Sequence, residues 1–296
     1  TTVETLSANS TGTNAQGIYI TEADAITVDS VAVTTTMFET DATMTTVNST
    51  DAAQADLISG HNGNIVLTTL NGSIVINDGN TDGLGVVANG SGNIRIDANG
   101  TGSDVTNNAQ INSTTGHITV TAADALSILG NITTSANGTI TLDAEAGALV
   151  MGGAITVTAT TSSARLNVAT DLTVGNVVAQ NVSLVADTGS IINATGSSMN
   201  VTATNLRLAA DDAIGTSARH LTTTVETLSA NSTGTNAQGI YVTESDSITV
   251  DSVTVSTTAF NTDATTTAVT DAAQADLISG HNGNIVLTTL AGSIVI

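Results

Sequence analysis

The chain contains no proline, no cysteine, no tryptophan and no lysine, and aromatic residues make up 1% of its 296 positions. Each absence excludes something. Without cysteine there is neither a disulfide framework nor a thiolate metal site. Without proline every backbone N–H is free to join a hydrogen-bond ladder. With two Phe, two Tyr and no Trp, the wide gaps between the packed layers of an ordinary globular domain have nothing large to fill them. A core built here must be narrow, uniform and aliphatic. Four arginines (Arg95, Arg165, Arg207 and Arg219) face 26 acidic residues, for a formal charge of −22. Such a surface repels nucleic acid and anionic lipid, because it cannot neutralise phosphates. No apolar run approaches the ~18 residues of a membrane-spanning helix, and no charged-then-apolar leader opens the chain. Membrane insertion of this segment is not expected, and an export signal is expected elsewhere in the polypeptide.

What is present is aliphatic and β-branched. Hydrophobic residues reach 40%, enough for a buried core. Thr and Val dominate, and both suit strands better than helices. The class is all-β.

A long repeat sets the organisation. Residues 1–48 recur at 223–270 with ten differences, and residues 51–76 recur at 271–296 with a single one, Asn71 against Ala291. The reading is therefore one unit over 1–222 and the first third of the next over 223–296, with no separate globular domain. Repeat arrays need distinct caps and none is visible, so the native polypeptide is expected to continue at both ends. The differences alternate: Ala23 and Ala25 become Ser245 and Ser247 while Ile26 and Val28 persist as Ile248 and Val250. Substitution at alternate positions marks a strand with one buried face.

A finer period runs inside the unit. GNIVLTT (63–69), GSIVIND (72–78), GNIRIDA (92–98), GHITVTA (116–122), GTITLDA (138–144) and GAITVTA (153–159) alternate apolar with polar residues and are bounded by Gly, Asn, Asp or Ser. Short strands spaced this way predict a right-handed parallel β-helix of about 20–25 residues per coil. Ten coils per unit at ~4.8 Å each predict a rise of ~50 Å. Thr and Ser ladders are expected outside and Asn in left-handed turns. DAAQADLI (51–58) is read as a single helical turn on the outside.

The segment GSIINATGSSMNVTATNLRLAADDAIGTSARHLTTTVETLSAN (189–231) resembles a unit of filamentous-haemagglutinin-like giant exoproteins, and the similarity continues through GIYVTESDSITVDSV (239–253) and GNIVLTTLAGSIVI (283–296). The resemblance implies an extracellular shaft used in adhesion, aggregation or matrix building. It transfers no catalytic residue.

Several residues are of types that carry chemistry. Parallel β-helices also build polysaccharide lyases and hydrolases, whose sites gather carboxylates with Arg or Lys. Asp143 with Glu145, and Asp211 with Asp212 near Arg207, are the candidates, but no aromatic lies beside them; the expectation is no enzyme and no cofactor. The loop NDGNTDGLG (77–85) offers Asp78, Asn80 and Asp82 as oxygen ligands for Ca²⁺, with ETDAT (39–43) and NTDAT (261–265) weaker. The same residues are also turn formers. His61, His117, His220 and His281 share no short ligand spacing, so zinc is not expected. Asn-x-Ser/Thr sequons occur at Asn9, Asn48, Asn71, Asn89, Asn99, Asn112, Asn131, Asn137, Asn181, Asn193, Asn200 and Asn231; Asn9, Asn89, Asn99, Asn137 and Asn231 are the chosen glycosylation candidates. The repeated ITVTA at 118–122 and 155–159 raises an ice-ordering surface, against which the uneven coil lengths argue. Expected partners are other copies or units of the same protein, joined end to end or laterally through exposed strands, and cell-surface glycans.

Overall fold

In a computed structural model the chain is a parallel β-solenoid; residues 1–14, 16–45, 51–235 and 238–296 are described. Three faces make up its cross-section. Face A stacks Ala8–Ser10, Leu57–Ser59, Leu84–Ala88, Gln110–Ser113 and Ile132–Thr134. Face B stacks Gly17–Glu22, Asn64–Thr69, Ile94–Ala98, Ile118–Ala122 and Ile140–Ala144. Face C runs from Thr5–Leu6 through Ile26–Val28, Ile74–Ile76 and Val105–Asn107 to Leu126–Ile128 and beyond. From Thr156–Val168 onward, faces A and B merge into long strands, continued by Asn176–Ala186, Val201–Ala210 and Leu221–Ser232. No helix occurs among the described residues, so the helical turn expected at 51–58 is wrong. Residues 51–53 are irregular, Gln54 forms a bridge with Val31, and Leu57–Ser59 is a strand. Leu57 is wholly buried as a member of face A, so alternation across the sheet won over a local helical pattern.

The alternating sequence pattern becomes vertical columns. On face B, Ile65, Ile94, Ile118, Ile140, Ala164, Val182, Leu206 and Leu228 stand directly over one another, and all are fully buried. Because parallel pairing puts like residue on like, aliphatics of similar volume fill the interior without aromatics. The glycine that opens each Gly-x-Ile motif has a different cause. A Cβ on Gly92 would lie 2.3 Å from the carbonyl oxygen of Gly63, on Gly116 2.2 Å from that of Gly92, and on Gly138 2.4 Å from that of Gly116. The chain turns the corner so tightly that a side chain has no room above the coil below. Beside this glycine column runs a polar ladder. The Asn64 Oδ1 accepts the Asn93 amide at 2.8 Å, the Asn93 Oδ1 accepts the His117 amide at 2.7 Å, and the His117 Nδ1 accepts the Thr139 amide at 3.1 Å. Asparagine is thus mainly a ladder residue; the left-handed turns it shares with others, as at His61 (φ 49) and Asn62 (φ 66).

The two copies join without a break in pairing, but not in the same phase. On face B, Ile18 is followed by residues 65, 94, 118, 140, 164, 182, 206 and 228, which are eight steps; yet Ile240, the counterpart of Ile18, stacks on Ile214 of face C. A unit therefore holds between eight and nine turns and rises ~40 Å rather than ~50 Å at ~4.8 Å per coil. The difference arises because an insertion between Val28 and Leu57 adds chain without adding a coil. At the seam, the buried carboxylate of Glu244 accepts the Thr223 hydroxyl at 2.7 Å and the Val225 amide at 3.1 Å. The homologous Glu22 takes the Thr1 hydroxyl in the same way.

Candidate functional site

The insertions are β-hairpins, and they make the most distinctive surface of the molecule. The second pairs Ser256–Phe260 antiparallel with Thr266–Thr270 and closes its base with the Val253–Gln274 bridge. It lies along the shaft as a strap, spanning successive coils of face B from Thr119 to Leu208. Its floor is one outward column: Arg95, Thr119, Thr141, Arg165, Ser183, Arg207 and Ser229. The Phe260 amide donates to Thr119 Oγ1 at 2.9 Å, and the Thr258 amide to Thr139 Oγ1 at 3.0 Å. Thr141 Oγ1 bonds Thr257 Oγ1 at 3.0 Å. Arg165 Nε pairs with the Asp271 carboxylate at 3.0 Å, Arg207 Nε donates to the Ala272 carbonyl at 3.2 Å, and Gln274 Nε2 to the Leu208 carbonyl at 2.8 Å. The tip residues Thr262 and Asp263 share a shallow hollow with Tyr19, Val66 and Asp97. The lengths agree: five coils at ~4.8 Å separate Ser229 from Thr119, about the reach of seven extended residues at ~3.3 Å each. Phe260 is 0% exposed, and the outward threonines beneath the strap are as buried as core residues.

The first hairpin, Met37–Phe38 paired with Met44–Thr45, has the same base bridge, Val31 to Gln54. Phe38, the counterpart of Phe260, is 70% exposed. Sequence reasoning missed both hairpins as insertions. Their signal was the long interval between Val28 and Leu57 that contains no Gly-x-Ile motif.

The residues singled out for chemistry are scattered. In the loop 77–85 the Asp78 carboxylate accepts the amides of Asn80, Asp82 and Gly83 at 3.3, 3.1 and 2.8 Å, while Asn80 Nδ2 donates to Asp82 at 3.1 Å. Burial pushes the Asp78 pKa up, but the amides of Gly83, Asn80, Thr81 and Asp82 outweigh it and hold the carboxyl below its ordinary value. A Ca²⁺ ion here would have to compete with those amides. Among the described residues no three Asp, Glu or His side chains gather as a metal ion would need. Asp41 and Asp263 accept the hydroxyl and amide of Thr43 and Thr265 at the hairpin tips, and both carboxyls are lowered by those bonds.

Asp56 behaves differently. It is 0% exposed, its Oδ2 has no partner, and its Oδ1 accepts only the Gly79 amide at 3.3 Å. Burial, followed by the nearby charges of Asp82, Asp78 and Asp29, pushes its pKa up. A folded-state pKa above the unfolded value means that stability is lost as pH rises through that interval. Asp56→Asn is therefore expected to raise Tm at pH 7 and to leave it nearly unchanged near pH 3, as measured by thermal unfolding at both pH values.

Asp143 lies on face B bonded to Asn167 at 3.1 Å, with Glu145 exposed on the next turn. Arg207 and Asp211, with Asp187 and Gln274, line one shallow depression beside the strap base, whereas the Arg207 Nε is committed to the strap. His61 and His281 occupy equivalent turns, as expected. His117 belongs to the corner ladder, and burial lowers its pKa. His220 bonds Thr243 at 2.8 Å and packs on Tyr241. Of the sequons, Asn9, Asn71, Asn89, Asn99, Asn131 and Asn137 are exposed, although Asn99 Nδ2 already donates to the Thr69 carbonyl and the Asp97 carboxylate. Asn231 is half-buried with its Oδ1 shielded and unpartnered, and Asn193 and Asn200 are buried. Asn48 lies outside the described residues.

These features define a parallel β-solenoid with axial straps. No family model, no curated protein and no solved structure matches the chain.

Proposed function

We propose that the chain is the shaft of an extracellular fibre or giant surface adhesin, serving cell-surface or matrix architecture, and that it is not an enzyme. The observation that carries this reading is the seam. The second copy stacks on the first through unbroken parallel pairing, from Leu206 and Leu208 to Leu228 and Ala230 and on to Val250 and Leu277. Units added this way lengthen a rod without changing its width, as reach from a surface requires. The strap adds a second tie between units, along the axis rather than across it. The acidic skin, −22 in formal charge, keeps an apolar-cored rod dispersed and attracts divalent counter-ions such as Ca²⁺. The similarity to filamentous-haemagglutinin-like exoproteins supports the extracellular setting. A carbohydrate-binding role is the second reading, favoured only by the depression that sets Arg207 beside Asp187 and Asp211. Electron cryo-microscopy of native material tests the shaft directly. Thin filaments with a layer line at ~4.8 Å and a unit rise of ~40 Å are expected; compact separate particles would overturn the proposal.

A further inference from the structure

On the reading of the chain as a shaft, on which this rests, we propose that face C docks a second copy of the chain, antiparallel to the first, about a two-fold axis through Ser127. Parallel pairing sets Val75, Thr106, Ser127, Val150, Thr173 and Ile192 in one outward column over six consecutive coils in the middle of the chain. None of the six is charged, in a protein of formal charge −22. The outward columns of face B, by contrast, carry Arg95, Asp97, Asp143, Arg165 and Arg207. Face A is likewise uncharged at Val87, Asn112 and Thr133, but Val87 is 7% exposed and offers no protrusion. On face C, Val150 and Leu129 do protrude, at 46% and 48% exposure. Beside them lies a hollow of about 290 Å³ lined by Thr106, Ala125, Ser127 and Ala148.

A protrusion and a hollow side by side on one face are self-complementary under a two-fold axis, which is why a copy of the chain is the occupant. With the axis through Ser127, each coil above that residue meets the coil equally far below it on the copy. Val150 then lies on Thr106, Val75 on Thr173 and Leu129 on Ala125, so each large side chain meets a small one. The flanking acids avoid one another, since Asp104 falls opposite Gly152 and Asp171 opposite Asn77. Parallel shafts would instead set Val150 against Val150 and leave the hollow unfilled. Six coils at ~4.8 Å and five residues at ~3.3 Å give a patch of about 29 by 17 Å. Two such patches bury about 1,000 Å² in all, the size of a weak specific contact, and repeated units along a shaft multiply it.

The test uses the full chain, which has no cysteine, so that each introduced thiol is unique. Ser127→Cys is expected to form a covalent dimer on mild oxidation, because the axis brings the two thiols together. Thr173→Cys alone is expected not to cross-link, its two copies being four coils (about 19 Å) apart, yet to cross-link when mixed with Val75→Cys. Sedimentation velocity across a concentration series reads the strength of pairing. Wild-type protein is expected to dimerise weakly, and Val150→Glu/Leu129→Glu to weaken this at least ~30-fold, the effect of removing one hot spot. Leu70→Glu, at a more accessible apolar side chain off face C (62% exposed), is expected to change nothing. Negative-stain images are expected to show pairs doubled in width rather than in length. Cross-linking of Thr173→Cys with itself, undiminished dimers from the double variant, or rods that never pair would each overturn the face C contact and leave the shaft reading standing. Compact globular particles would overturn both.

Discussion

Gly116→Ala is expected to cost about 3 kcal/mol of stability, within the range for overpacked sites. The added methyl would sit 2.2 Å from the Gly92 carbonyl oxygen and 2.6 Å from its carbon, and both atoms belong to the coil below. Backbone held in a parallel ladder cannot step aside as a flexible side chain can. The displaced coil would also misplace the Asn93-to-His117 bond at 2.7 Å and the buried Ile118. Gly116 has no positive φ, so the effect would report contact rather than backbone conformation. Gly12→Ala serves as the reference, because nothing lies within 4 Å of its Cβ position and its φ is ordinary. Denaturant unfolding of the two variants should separate them clearly, and equal midpoints would show that the glycine column is not what sets the coil corner.

Phe260→Ala and Phe38→Ala place one substitution in two homologous hairpins, and opposite results are expected. Phe260 is fully buried beneath the strap, where truncation of an aromatic ring typically costs about 3–5 kcal/mol. That loss should fall on the strap rather than on the solenoid, whose coils keep their own columns. Amides across 256–270 should then exchange with solvent by local opening while those of 118–122 and 140–144 stay protected. The Arg165–Asp271 pair, 13% and 10% exposed, should not refasten the strap alone, since the cost of desolvating a buried ion pair offsets most of its attraction. Phe38, 70% exposed, should tolerate the same change in the dilute single molecule with an effect within about 0.5 kcal/mol. Hydrogen exchange read by mass spectrometry distinguishes the sites. Matching behaviour of the two would mean that Phe260 does not anchor the strap.

The stacking of faces was legible in the sequence because it is a local property repeated. GNIRIDA, GHITVTA and GTITLDA each state a corner, an inward residue and an outward one, and parallel pairing then sets Ile94, Ile118 and Ile140 in one column. The expected fold class stands for that reason. The helical turn at 51–58 failed for the complementary reason: eight residues of apolar spacing carry little information once Leu57 has a column to fill. The loop at 77–85 is rich in Asp and Asn, but its hydrogen bonds run from backbone amides to Asp78, which composition does not foretell.

What the sequence by itself determined is the coil: absent proline and aromatics, alternating aliphatics and corner glycines are instructions that each ~23-residue turn carries within itself. What only the tertiary structure decided is everything that compares one coil with distant ones. Residues 5–6 and 227–228 belong to identical sequences, yet the first pair lies on face C and the second on face B, because phase accumulates over the whole unit. Phe38 and Phe260 likewise share a motif and differ wholly in burial. The physical reason is common to both. A strand's inward face is chosen by its own alternation, whereas a strap's partner lies more than a hundred residues away, at Thr119 and Thr141, and is set by how many turns intervene.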